Sequence, residues 1–127
     1  MAAIALPAAG MWACGGGPRT TPYRLSSGRT IRVLSVGPMY FSHDQPALVL
    51  RYQTDLNVDQ KERLRAEVTE IWKDFRKEAD RADMTGAIIM ANEVPKGRFI
   101  QRGRSFNFVF EKRPDGTWPE EPQPSAK

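Results

Sequence analysis

A hydrophobic stripe constrains this chain more than any other feature. Leu64, Val68, Ile71, Phe75, Ala79 and Ala82 recur at spacings of three and four, which places them along one face of an α-helix, with Trp72 widening it. The opposite face carries Arg63, Glu67, Glu70, Lys73, Asp74, Lys77 and Arg81. Asn57 reads as the N-cap, Gln60 completes a capping-box pattern, and Asp59 complements the helix dipole. Gly86 reads as the stop. A helix of about 25 residues would run about 37 Å. Its apolar face needs a second layer to bury it.

The flanking segments supply that layer. Thr30–Phe41 is rich in Ile, Val and Leu and reads as a strand that Gly37-Pro38 kinks. After a turn at 42–46, Ala47–Thr54 alternates Leu48, Leu50 and Tyr52 against Val49, Arg51 and Gln53, the period of a half-buried strand. Ala87–Val94 is a compact apolar run closed by Pro95. In Ser105–Lys112 the comb Phe106, Phe108 and Phe110 lies on one face. Pro114-Asp115-Gly116 signals a turn, and Thr117-Trp118 a short last strand. The order β-β-α-β-β predicts an α+β fold. It has an antiparallel-rich sheet of about four strands with one long amphipathic helix on one face. The Phe comb and the Leu64–Phe75 stripe are the expected core partners.

The domain organisation follows from composition along the 127 residues. Residues 1–14 read as an apolar leader, 15–29 as a flexible linker, 30–118 as a single domain and 119–127 as a disordered tail. One cysteine and one histidine exclude an intramolecular disulfide framework, a multi-thiolate metal site and any site needing two imidazoles. No apolar run reaches the ~18 residues of a membrane-spanning helix. The net charge is +4. Arg19, Arg24 and Arg29 lie in the leader and linker, where no acid offsets them. The folded part is therefore nearly balanced, unlike a dedicated nucleic-acid binder.

The leader is the most specific signal. Met1–Ala13, MAAIALPAAGMWA, has no charge, and Pro7 and Gly10 disfavour a buried core helix. Its length and small residues fit the apolar region of a secretory signal peptide. Ala13 precedes Cys14, and Gly15-Gly16-Gly17-Pro18 follows. In these residues the chain resembles a bacterial lipoprotein precursor. The resemblance covers only this N-terminal stretch, and it implies lipidation of Cys14, cleavage before it, and a membrane anchor in the cell envelope facing the periplasm or exterior. The domain itself suggests no family.

Candidate chemistry elsewhere is sparse. His43 beside Asp44 could support acid–base work, but adjacent turn residues seldom form a positioned dyad. Glu70, Asp74 and Glu78 recur at i,i+4, yet they alternate with Lys and Arg as a solvated helix face does. Asp59–Arg63 and Arg76–Asp80 are the expected surface pairs. Lys96, Arg98, Arg102 and Arg104, interleaved with Gly97 and Gly103, form the densest basic cluster. Arginine forks there suit phosphate or carboxylate, so an envelope protein or an anionic ligand is the expected partner. The other reading is a cytosolic module contacting nucleic acid through 96–104. Arg102-Gly103-Arg104-Ser105-Phe106-Asn107-Phe108-Val109 matches an RNA-recognition octamer only at Arg102, Gly103 and Phe106. No cofactor motif and no catalytic set emerges, and a non-enzymatic binding domain is the expectation.

Overall fold

A computed structural model describes residues 19–41, 45–94 and 104–122. Five strands and one helix follow in the order β1 (Thr21–Arg24), β2 (Thr30–Phe41), β3 (Gln45–Thr54), α1 (Lys61–Arg81), β4 (Gly86–Glu93) and β5 (Ser105–Glu111). The strands form one sheet in sequence order. β1–β2, β2–β3 and β4–β5 are antiparallel, whereas β3 and β4 are parallel. The fold is therefore α+β with a five-stranded mixed sheet. The parallel pair arises because α1 carries the chain back to the starting end of β3 before β4 begins.

The added strand, β1, lies within the 15–29 segment expected to be linker. Its residues lack a periodic pattern, but Ser26-Ser27-Gly28 is a hairpin turn. Gly28 takes φ +98° and its amide donates to the Leu25 carbonyl at 2.9 Å, while the Leu25 amide donates to the Arg29 carbonyl at 2.7 Å. A three-residue loop with glycine in the left-handed region is a common hairpin solution. Leu25 is buried in the core. Arg113–Thr117 repeats the same geometry at Gly116. The short last strand expected at Thr117-Trp118 does not form. Instead Trp118 and Pro119 are buried.

Alternation decides which side α1 covers. Leu48, Leu50 and Tyr52 of β3, Ala87, Ile89 and Ala91 of β4, and Phe108 and Phe110 of β5 form one cluster with Leu64, Val68, Ile71, Trp72, Phe75 and Ala79. The helix passes closest over β4, where Ala87 and Ala91 leave room for it. Trp72 stacks on Phe110 with centroids 3.9 Å apart and meets Trp118 edge-on at 5.3 Å. Its indole N–H donates to the Pro119 carbonyl at 2.8 Å. Each such apolar side chain contributes about 1.5–3 kcal/mol on burial. The expected pairing of comb and stripe is present, except that Ala82 is exposed.

The helix is shorter than its sequence signals imply. Asn57 does not cap it. Its side chain accepts the amide of Asp59, two residues on, at 3.1 Å, which makes a local turn before the helix. The Gln60 side chain accepts the Asn57 amide at 3.1 Å, but Gln60 itself occupies the N-cap position, without a side-chain cap bond. At the other end the stop is Asp83, at φ +59°, rather than Gly86, which begins β4. The Met84 amide donates to the Ala79 carbonyl and the Asp83 amide to the Asp80 carbonyl. This reciprocal pair is a Schellman motif.

Candidate functional site

Two polar clusters and one apolar projection stand out once the core is assigned. The first cluster lies where the β1–β2 turn meets α1. Tyr52 and Thr54 share the inward face of β3, and both hydroxyls donate to Glu67 Oε1, at 2.8 and 2.7 Å. Arg29 reaches the same carboxylate through Oε2 at 3.1 Å and Glu70 at 3.0 Å. The Ser27 hydroxyl donates to Glu70. One turn further on, Ser26 donates its amide and hydroxyl to the two Asp74 oxygens at 2.7 and 2.8 Å.

Glu67 and Asp74, each only 8% exposed, were expected on the solvated helix face. They sit at its margin, close enough to the end of β3 and to the β1–β2 turn to accept these donors. Burial of a carboxylate is tolerated when its oxygens are bonded in this way. Burial, and then Glu67, raise the Tyr52 phenol well above its ordinary range, so it remains a donor. The Ser27 hydroxyl, with Arg29, holds Glu70 below the usual carboxylate range. These carboxylates do not converge on a cleft, and each binds the turn that crosses them.

The second cluster gathers at the far end of β4. Glu93 accepts the Val58 amide at 2.8 Å and pairs with Arg104 at 3.1 Å, and Arg104 also pairs with Asp59 at 3.1 Å. The Val58 amide, then Arg104, keep the Glu93 carboxyl low, and Asp59 and Glu93 raise the Arg104 guanidinium. Of the basic cluster expected to bind an anion, Arg104 is thus already bonded to two acids, which fixes the loop before α1 to the start of β5. Lys96, Arg98 and Arg102 lie outside the described residues, as do Cys14 and His43. Asp59 pairs with Arg104 rather than Arg63, and Asp80 with Lys112 rather than Arg76. Asp80 also accepts the Trp118 indole N–H at 2.8 Å.

Between the β1–β2 turn and the 118–122 segment, the outer face of α1 floors an open groove of about 590 Å³. Ser27, Ala66, Thr69 and Glu121 are among the residues that line it. It mixes both signs of charge and holds no concentrated functional group. Among the described residues, no helix is long and apolar enough to cross a membrane, and no group of His, Cys, Asp and Glu is placed to hold a metal ion.

The apolar projection is the outer half of β2. Val36, Met39 and Tyr40 are 41%, 45% and 70% exposed. No family model, curated protein or solved structure matches this chain.

Tyr52, Thr54 and Glu67 were legible in part. Tyr52 and Thr54 continue the inward parity of Leu48 and Leu50, so two hydroxyls had to find a buried acceptor. The exposed triad had a signal too. Val36, Met39 and Tyr40 cannot all share one face of a regular strand.

Proposed function

We propose that this chain is a small lipid-anchored protein of the bacterial cell envelope, held through Cys14 and serving as a binding or interaction domain rather than an enzyme. One observation carries the reading. An uncharged apolar stretch, Met1–Ala13, ends in a small residue directly before the single cysteine, and a glycine-rich tether follows. Each acyl CH₂ buried contributes about 0.8 kcal/mol, so two or three chains hold a domain of this size durably. The non-enzymatic part is supported by the helix carboxylates Glu67, Glu70 and Asp74, which are engaged by the β1–β2 turn and β3.

The test is Cys14→Ser in a bacterial host. Membrane fractionation is expected to find the parent chain with the membrane and the variant in the soluble fraction, with acyl mass lost from its N-terminal peptide. Identical fractionation of the two would remove the anchor. A soluble parent that co-purifies with RNA, and releases it steeply as salt rises, would replace this reading with the nucleic-acid one.

A further inference from the structure

Resting on that anchored reading, we propose that the outer half of the β2–β3 hairpin docks on the lipid surface, with Val36, Met39 and Tyr40 as its contact residues. Three observations converge. The hairpin overhangs the rest of the fold. β4 begins opposite Ala47, which itself faces Met39, so Tyr40-Phe41 and Gln45-Pro46 project beyond it, and β1 begins opposite Val33, so among the described residues nothing pairs with the outer edge of β2 beyond that point.

The stretch of β2 that β1 leaves uncovered is apolar on both faces. Val36 pairs with Leu50 of the helix-covered face and Met39 with Ala47 of the other, and Tyr40 follows Val36 in parity. All three stay exposed, whereas Leu50 and Ala47 are buried. Among the described residues, the only other exposed large apolar side chain is Val94, which follows the opposite end of β4. Tyr suits a headgroup boundary, where an apolar body and a polar tip are both satisfied.

The tether leads to the same end of the sheet. β1 is antiparallel to β2, with Thr21 opposite Val33 and Arg24 opposite Thr30. Traced backward from Thr21, the chain therefore heads toward the overhang. Thr21 lies seven positions after Cys14, a reach of at most about 25 Å. Tyr40 likewise lies seven positions after Val33, about 23 Å of strand. The chain between Cys14 and Thr21 is thus long enough for an anchor to reach the level of Tyr40 and no farther. A bilayer met at that end of the sheet lies no farther out than about Tyr40, and the uncovered edge of β2 from Val36 to Tyr40 is what the sheet presents to it.

The single cysteine makes this testable without relying on cellular lipidation. The full chain with Trp12→Phe is coupled through Cys14 to maleimide-headgroup lipid in phosphatidylcholine vesicles, with or without dibrominated acyl chains. Trp72 and Trp118 are buried and form the background. Tyr40→Trp is expected to lose at least half of its added fluorescence on brominated vesicles. Asp55→Trp, at the opposite end of β3, is expected to lose none. Both positions are exposed, and circular dichroism checks that each variant keeps its fold. Equal quenching of the two, or none of either, overturns the proposal and leaves the triad to a protein partner. Because the anchor is imposed chemically, that outcome leaves the Cys14 reading standing. Conversely, a failed Cys14→Ser fractionation removes the anchor without touching the vesicle result.

Discussion

Glu67 offers the sharpest test of how this fold is held. It accepts two buried hydroxyls and one guanidinium. In Glu67→Ala, the Tyr52 and Thr54 hydroxyls lose their acceptor in a region where both residues are nearly inaccessible. Each unsatisfied buried group costs about 1–3 kcal/mol. The Arg29 pair adds little, because Arg29 is half exposed and such pairs contribute about 1 kcal/mol or less. The expected loss is about 3–5 kcal/mol, a large share of the 5–15 kcal/mol typical of a small domain. Glu67→Gln retains a carbonyl acceptor, but its bonds to the hydroxyls lose charge assistance, so about 1–2 kcal/mol is expected.

Urea unfolding followed by tryptophan fluorescence measures both, with the denaturant slope unchanged if the native state is intact. A cycle with Tyr52→Phe should show a coupling of at least about 1 kcal/mol, as groups in one network do. If Glu67→Ala falls within about 1 kcal/mol of the parent, or if Gln and Ala cost the same, the carboxylate does not organise this junction and the argument fails.

Other perturbations have distinct signatures. Asp83→Gly removes the left-handed strain of a side chain at φ +59° and a negative charge at a helix C-terminus, so thermal unfolding should show a gain of about 0.5–1 kcal/mol. Trp118→Ala removes the edge-on partner of Trp72 and the donor to Asp80. It should cost about 3–5 kcal/mol in urea, and proteolysis should quicken after Lys112 and Arg113. Stability should also be bounded at both ends of the pH scale. Glu70 and Asp80 are held low, by Ser27 and by Trp118 first. Their contribution is present above an unfolded carboxylate value of about 4 and is lost as pH falls below it. Tyr52 and Tyr23 are raised, chiefly by burial. Their contribution is full below an unfolded value of about 10 and declines above it. Melting temperatures across pH should flatten at the alkaline end in Tyr52→Phe.

The sequence made the long-range partners legible and the polar joints much less so. Periodicity located α1, the Phe comb of β5 and the alternation of β3, because burial forces those patterns wherever an element has one wet face. It missed β1, since four residues carry too few alternations to register and their pairing depends on a glycine turn that composition reads as linker. It misassigned Glu67 and Asp74 because both were grouped with the solvated back of α1, whereas they lie at its margin, where the end of β3 and the β1–β2 turn supply donors that no periodicity shows. The parallel β3–β4 pair needed no detailed pattern. A single helix between adjacent strands returns the chain to the same end of the sheet.

The irregularity in β2 connects these points to the exposed triad. The pairing slips between Val33 and Ser35, leaving Leu34 as an extra residue. Before the slip, Ile31 and Val33 face α1 and are buried. After it, even-numbered residues take that face, with Val36 opposite Leu50 and Pro38 opposite Leu48. A bulge of this kind re-aims every side chain beyond it. It keeps Pro38 and Val36 on the parity of the core, yet α1 passes over β4 rather than the outer half of β2, so Val36 and Tyr40 receive no helical cover. Gly37 removes bulk from the opposite face at the same level, and Met39 is then left uncovered there. The exposure of Val36, Met39 and Tyr40 is therefore a consequence of strand length and register. An edge that the core does not need has kept residues that water does not favour, and it has done so at the end of the sheet toward which the tether runs.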